Sequence, residues 1–200
     1  MNFQKTDSKN IINIFFFIIF AFYFVFGILL SLHVGLSHDE FHEQQNWEYN
    51  IDLIKFFFND IDKVDFNFRD KFYGVGFQFI SQPIQYFIKD FIPYLFYIDN
   101  YGSLLLSKHP IIFIFFSISG YFFYKIILII TKNKIFSLLS TLSYLLYPYL
   151  LGHAFMNPKD IPFLTVWMAS TYCSFYIADK FINKNYLKYI DVFFLGALTA

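Results

Sequence analysis

IINIFFFIIFAFYFVFGILLSLHVGL, residues Ile11 to Leu36, is interrupted only by Asn13, Ser31 and His33. At about 1.5 Å of rise per residue, such a run crosses a ~30 Å hydrocarbon core with some tilt. A signal peptide has a shorter apolar core and a small-residue cleavage site, and no Ala-x-Ala follows here. The sequence predicts an uncleaved first transmembrane helix over 11–36, preceded by a polar tail over 1–10 that carries Lys5 and Lys9.

The rest of the composition agrees with that reading. Hydrophobic residues make up 57% of the chain and charged residues 15%, against roughly 25% charged in a soluble domain. This argues for a multi-pass membrane protein. It excludes a disordered chain, a disulfide scaffold, and a nucleic-acid partner held by bulk positive charge. Fifteen basic and fifteen acidic side chains cancel, so net charge points to no partner. Cys173 is the only cysteine and has no intrachain partner for a disulfide.

Further spans are expected at about 110–131, 135–152 and 161–178, and another begins near Tyr189 and is still apolar at Ala200. The expected fold is therefore an all-α, polytopic transmembrane bundle whose chain ends inside a span, the N-terminal portion of something larger and inactive alone. Lysines set the orientation. Lys5 and Lys9, then Lys125, Lys132 and Lys134, then Lys180, Lys184 and Lys188 fall on one side if the spans are counted this way. That side is read as cytoplasmic in a plasma (inner) membrane. The segment 37–109, with eleven acidic and six basic side chains, then faces the periplasm or exterior, as does the short loop around His153 to Asp160.

Gly76 to Tyr97 is apolar enough to resemble a span. However, Gln78, Gln82, Gln85 and Lys89 recur at spacings of four, three and four, a polar stripe on one helical face. Pro83 and Pro93 interrupt the segment. An amphipathic helix lying in the membrane interface is expected. Arg69 and Lys71, before Tyr73-Gly74-Val75-Gly76, read as loop charges, since no GK[ST] follows that glycine pair.

The densest polar cluster, His38 to Glu48, follows the first span directly. If the helix continues, Asp39, His42, Glu43 and Asn46 share one face. Adjacent Asp39 and Glu40 point about 100° apart, so they can serve different tasks. A carboxylate partly desolvated at the membrane surface suits a general base acting on a hydroxyl. A solvated helix end with an acidic face is the competing reading. A metal is another: His38 and His42, at i,i+4, can ligate Zn²⁺ with Glu43 or Asp39 nearby. The zincin pattern fails, because Asp39 holds the place where it needs Glu.

The second cluster is Gly152 to Phe163. Asn157 can cap a helix that Pro158 opens, with Asp160 in its first turn, and Lys159 can reach headgroups. Alternatively, a helix N-terminus with Lys159 and His153 makes an anion site suited to a lipid-linked phosphate. Lys108 and His109 open the second span, as interfacial anchors or as further positive charge for that phosphate.

These features together resemble the GT-C membrane glycosyltransferases, specifically the family 39 group that includes protein O-mannosyltransferases and the lipid A aminoarabinose transferase. The resemblance lies in a first span ending in the Asp39-Glu40 pair, a long outer loop with helices along the membrane, basic Lys108 and His109 at the second span, and a short loop carrying His153 and Asn157-Pro158-Lys159-Asp160 followed by Ile161-Pro162-Phe163. It implies transfer of a sugar from a polyprenyl-phosphate donor to an acceptor glycan, lipid or protein hydroxyl on the outer face, with inversion. Asp39 would be the base and Glu40 would orient the acceptor. His153, Lys159, Lys108 and His109, with Asn157 and Asp160, would hold the donor phosphate. No cofactor is implied, and relatives of this fold differ in whether they use a divalent cation. A transporter or flippase of lipid-linked sugars, or a membrane scaffold, would make no bond. Charge buried in the spans would favour transport.

Overall fold

The computed structural model of the chain describes residues 3–58, 61, 63–69, 74–183, 186 and 188–199, without the side chains of 3–13, 15, 198 and 199. The side chains of Lys5, Lys9, Lys71, Tyr73 and Lys184, and Ala200, lie outside the described residues. Among the described residues every element is helical: α1 (Phe3–Ser31), α2 (His38–Phe57), α3 (Gly76–Ile88) continued by a 3-10 turn (Lys89–Tyr94), α4 (Asn100–Leu106), α5 (Lys108–Thr131), α6 (Lys134–Leu145), α7 (Pro148–Met156), α8 (Asp160–Ile182) and α9 (Tyr189–Thr199).

Among the described residues, two helical stretches are long and apolar enough to cross a membrane, Asn100–Thr131 and Asp160–Ile182. A third counts if α6 and α7, bent by 61° at their junction, cross as one. The stretch expected as a single segment over 135–152 is thus two helices. Pro148 lacks the N–H that would continue the α6 ladder and instead starts α7 at its first position. In α1 the described apolar part is Phe16–Ser31.

The first helix does not run on into the polar cluster. It ends at Ser31, the chain turns through residues 32–37, and α2 starts afresh. Glu40, at the third helical position, accepts the Ser37 backbone N–H at 3.0 Å, the acidic half of a capping box. The expected 11–36 run therefore divides between a helix and a turn, and that turn redirects Asp39 and Glu40.

α5 is the axis of the bundle. It runs antiparallel to α1, with Ser31 beside His109 and the Phe113 ring lying directly over Gly27, where a Cβ would overlap it. It runs parallel to α8: Thr165 Oγ1 donates to the Phe115 carbonyl at 2.9 Å, and Lys132 pairs with Asp179 at 2.8 Å further along. Ile112, Phe113, Phe116, Leu145, Ala154 and Ile161 form the apolar core, with Tyr23 packed against it. The Tyr23 hydroxyl donates to the Leu145 carbonyl, an acceptor freed where α6 ends.

The α3 helix is inside out. Gln78, Ser81, Gln82 and Gln85 are buried, whereas Phe79, Ile80 and Phe87 are 53%, 54% and 74% exposed. Phe17, Phe22, Phe163, Trp167 and Phe193 are likewise exposed. An outer surface this apolar suits hydrocarbon as its solvent, with the polar face turned inward.

Candidate active site

The starts of α5 and α8 and the ends of α1 and α7 meet at one end of the bundle, and α2 and α3 cover it. The Lys132–Asp179 and Lys180–Asp191 pairs, both at 2.8 Å, lie at the other end. The structure thus separates the candidate site residues from the lysine-bearing turns.

Glu40 and His109 are fully buried and bonded to each other, Oε2 to Nε2 at 3.0 Å. His109 Nδ1 lies 2.9 Å from the Ser31 carbonyl. A carbonyl only accepts, so Nδ1 carries a proton. One further proton lies between Nε2 and the carboxyl group. It is held either as imidazolium and carboxylate or as neutral imidazole and carboxylic acid; both satisfy every atom.

Lys108, one residue earlier, is also fully buried, and its Nζ has no hydrogen-bond partner. Glu40 and Glu43 are the charges acting on it. Burying an ammonium costs several kcal/mol, on the order of that left after relaxation and partial pairing. Such a group is retained where nearby carboxylates, water or a ligand compensate it.

Glu43 connects the two sequence clusters. Its Oε1 lies 3.0 Å from Lys159 Nζ, and its Oε2 accepts from Gln78 Nε2 at 2.9 Å. The Lys159 side chain is 42% exposed and that of Glu43 only 5%. The pair therefore presents its cation outward from a buried carboxylate. It floors a groove of about 500 Å³ between α3 and α8, walled by Phe77, Ile80, Phe115, Phe163 and Val166. The partnership of Glu43 with Lys159 is absent from the sequence reading; their separation along the chain carries no sign of it.

Asp39 is exposed and has no side-chain partner among the described residues. His38 and His42 do meet, Nε2 to Nε2 at 3.0 Å, but Glu43 turns inward to Gln78 and Lys159. No group of three metal-ligating side chains is present among the described residues, so the His38, His42, Glu43 set is not assembled.

The 153–160 turn is built around Asn157. Its Oδ1 accepts the backbone N–H groups of Lys159 and Asp160 at 3.1 and 2.9 Å. Its Nδ2 donates to Asp160 Oδ2 and to His153 Nδ1, at 2.9 and 2.8 Å. His153 Nδ1 is thus an acceptor, which leaves the proton of a neutral ring on Nε2. The Asn157 amide is spent on the turn before α8 and on holding its neighbours; the helix opens at Asp160 with Lys159 as its N-cap, and not at Pro158 behind an Asn157 cap as expected. His153 and Asp160 line a second groove with Tyr149 and Trp167, apart from the Glu43–Lys159 groove. Of the residues read as phosphate ligands, the structure gathers Lys108, His109 and Lys159 around Glu40 and Glu43, and sets His153, Asn157 and Asp160 to one side. Compared with protein-family models, curated proteins and solved structures, the chain matches none of them.

Proposed function

We propose that the chain is an integral membrane glycosyltransferase of the GT-C, family 39-like type, moving a sugar from a polyprenyl-phosphate donor to an acceptor hydroxyl on the outer face of the membrane. The observation that carries this reading is the apolar-walled groove floored by Lys159 and Glu43. A prenyl chain suits Phe77, Phe115 and Phe163, and a phosphate suits the outward Lys159 ammonium.

In this reading Asp39, exposed and without a side-chain partner among the described residues, takes the acceptor's proton as the acceptor oxygen attacks the anomeric carbon. The bond from that carbon to the phosphate oxygen breaks, and the electron pair leaves with the lipid phosphate. Attack opposite the leaving group inverts the centre. The leaving group is already a stable anion, so it needs fixed positive charge more than a proton donor. Lys159, which faces the groove, supplies that charge. Glu40 holds His109 and the start of α2, a positioning role that puts Asp39 one residue away.

The transporter reading has one observation in its favour: Glu40, Lys108 and His109 are fully buried ionisable groups. Glu40 lies in the first turn of α2, and Lys108 and His109 lie at the start of α5, inside the Asn100–Thr131 stretch but short of its middle.

The test is transfer by the complete protein in membranes supplied with radiolabelled polyprenyl-phosphate sugars, wild type beside Asp39→Asn. Loss of a general base lowers transfer by about 10²–10⁴-fold, which is the expected outcome. Near-normal transfer by the variant removes Asp39 from the base role. Donor bound or flipped by the wild type but never transferred favours the transporter.

A further inference from the structure

His38 and His42 stand one turn apart at the start of α2, the first exposed and the second half-buried, and the proposed transfer uses neither. Their Nε2 atoms lie 3.0 Å apart. Their ring centroids lie 4.5 Å apart, with the ring planes nearly perpendicular at 86°. At that nitrogen separation, a straight N–H···N bond along both rings would hold the centroids roughly 5.3 Å apart. The two nitrogens therefore do not point along one line. The i,i+4 spacing brings the rings together, and the backbone between them is held from behind. The Ser37 N–H donates to Glu40 at 3.0 Å, and Glu40 is bonded to the buried His109. This turn of α2 is thus fixed before any ligand arrives, as a binding constellation requires.

Two imidazole nitrogens on one metal ion account for both distances. Bonds of about 2.05 Å meeting at about 90–95° put the nitrogens about 2.9–3.0 Å apart and the centroids about 4.5–4.7 Å apart. A tetrahedral angle would spread the nitrogens to about 3.3 Å. Right-angle nitrogen donors belong to square or tetragonal ions, Cu²⁺ and Ni²⁺, and Cu²⁺ stands highest in the affinity order of the divalent series. Among the described residues no third His, Cys, Asp or Glu joins the pair, so the other positions fall to water. Each ring has to present an unprotonated Nε2 to the ion, which places both ring protons on Nδ1.

We propose that His38 and His42 form a two-histidine chelate for a square or tetragonal divalent transition ion, Cu²⁺ ahead of Ni²⁺, with water in the remaining positions. The site does not depend on the proposed transfer and would stand in a transporter or a scaffold equally well. It differs from the three-ligand zinc set considered from the sequence, because Glu43 is turned away to Gln78 and Lys159.

The test titrates the complete protein in detergent micelles with Cu²⁺, Ni²⁺ and Zn²⁺ in turn, beside His38→Ala, His42→Ala and, as a control, His33→Ala. Wild type is expected to take up one Cu²⁺ whose electron paramagnetic resonance spectrum shows two nitrogen donors, and to bind Cu²⁺ more tightly than Ni²⁺ or Zn²⁺. His38→Ala and His42→Ala should each bind Cu²⁺ at least about tenfold more weakly and lose one nitrogen from the spectrum. His33→Ala should bind as wild type does. Cu²⁺ should raise the unfolding temperature of wild type and of His33→Ala, and leave that of the other two unchanged. If an alanine variant fails to fold, His38→Gln and His42→Gln carry the same expectation, since the amide keeps a polar side chain and removes the ring. Equal Cu²⁺ affinity in wild type and in the two variants overturns the inference, as does a spectrum with fewer than two nitrogens. Zn²⁺ bound more tightly than Cu²⁺ overturns the square geometry. Wild type that binds none of the three ions overturns the site and leaves a bent N–H···N bond between two rings.

Discussion

His109 Nε2 lies 3.0 Å from Glu40 Oε2, and neither side chain is exposed. The pair ties the start of α5 to the first turn of α2, and through Nδ1 and the Ser31 carbonyl to the end of α1. Three chain segments thus depend on two side chains. Glu40→Ala leaves the imidazole buried with Nε2 unanswered and removes the acceptor for Ser37. A loss of about 3–5 kcal/mol is expected, as for breaking a buried pair on one side. Glu40→Gln behaves differently. Its amide N–H can donate to Nε2 of a neutral ring while its oxygen still accepts from Ser37, so stability should stay within about 1 kcal/mol of wild type. Unfolding in detergent micelles checks the ordering. Equal losses for Ala and Gln would mean that the carboxyl group itself, as an anion facing imidazolium, is required.

The turn after α7 gives a second expectation. Asn157 Oδ1 accepts two backbone N–H groups at the start of α8, and its Nδ2 reaches His153 and Asp160. Asn157→Ala should cost about 0.5–2 kcal/mol, of the order of losing a side-chain acceptor for helix-start N–H groups, and Asn157→Asp should cost less because the Oδ1 contacts survive. If both variants keep wild-type stability but lose donor binding, Asn157 contacts the ligand and its hold on the turn is secondary.

These two clusters also show what a linear reading can reach. Asn157-Pro158-Lys159-Asp160 carries a local turn pattern, so a helix start is legible from four residues, although the helix opens at Asp160 and not at Pro158. Ser37-x-x-Glu40 is a capping pattern, but the apolar run before it hid the turn, because Leu32 to Leu36 is as apolar as a helix interior. The Gln78–Gln82–Gln85 stripe was legible as a face, though not which way it points. Periodicity identifies a polar side, and only packing against α2 and α5 turns it inward. Glu43 with Lys159 and Glu40 with His109 join residues far apart in sequence. No local rule reaches them, and they make the site. The break at Pro148 was open to reading from proline alone; its neighbours' hydropathy outweighed it.

Packing between α1 and α5 yields a third expectation. Gly27 faces the fully buried Phe113 ring so closely that a Cβ would overlap it. Phe113 also contacts Tyr23, Phe116 and Phe155, so the ring has little room to yield. Gly27→Ala should destabilise by about 1–3 kcal/mol, the usual cost of overpacking a core, despite the better helix propensity of alanine. The double variant Gly27→Ala with Phe113→Leu should recover part of that loss. No recovery would place the strain in the α1 backbone and not in the ring contact.

The last expectation concerns Glu43 and Lys159. Lys159 is 42% exposed while Glu43 is 5% exposed, so the two ends of the pair are not equivalent. Lys159→Ala leaves Glu43 buried, still accepting from Gln78 and still acting on Lys108. Solvent reaches the lysine side and Gln78 still answers Glu43, which keeps the stability loss below that of Glu43→Ala. Glu43→Ala, in contrast, strips Gln78 of its acceptor and Lys108 of a compensating charge, so it should cost about 3–5 kcal/mol. Binding should show the opposite asymmetry. Lys159→Ala removes the cation that faces the groove and should weaken polyprenyl phosphate by roughly tenfold, as for loss of a charge-assisted hydrogen bond. Lys159→Arg should restore most of it. Lipid titration and thermal unfolding of the same three variants separate the two roles. If Lys159→Ala binds polyprenyl phosphate as wild type does, Lys159 serves only to satisfy Glu43, and the groove takes its ligand without a cation from α8.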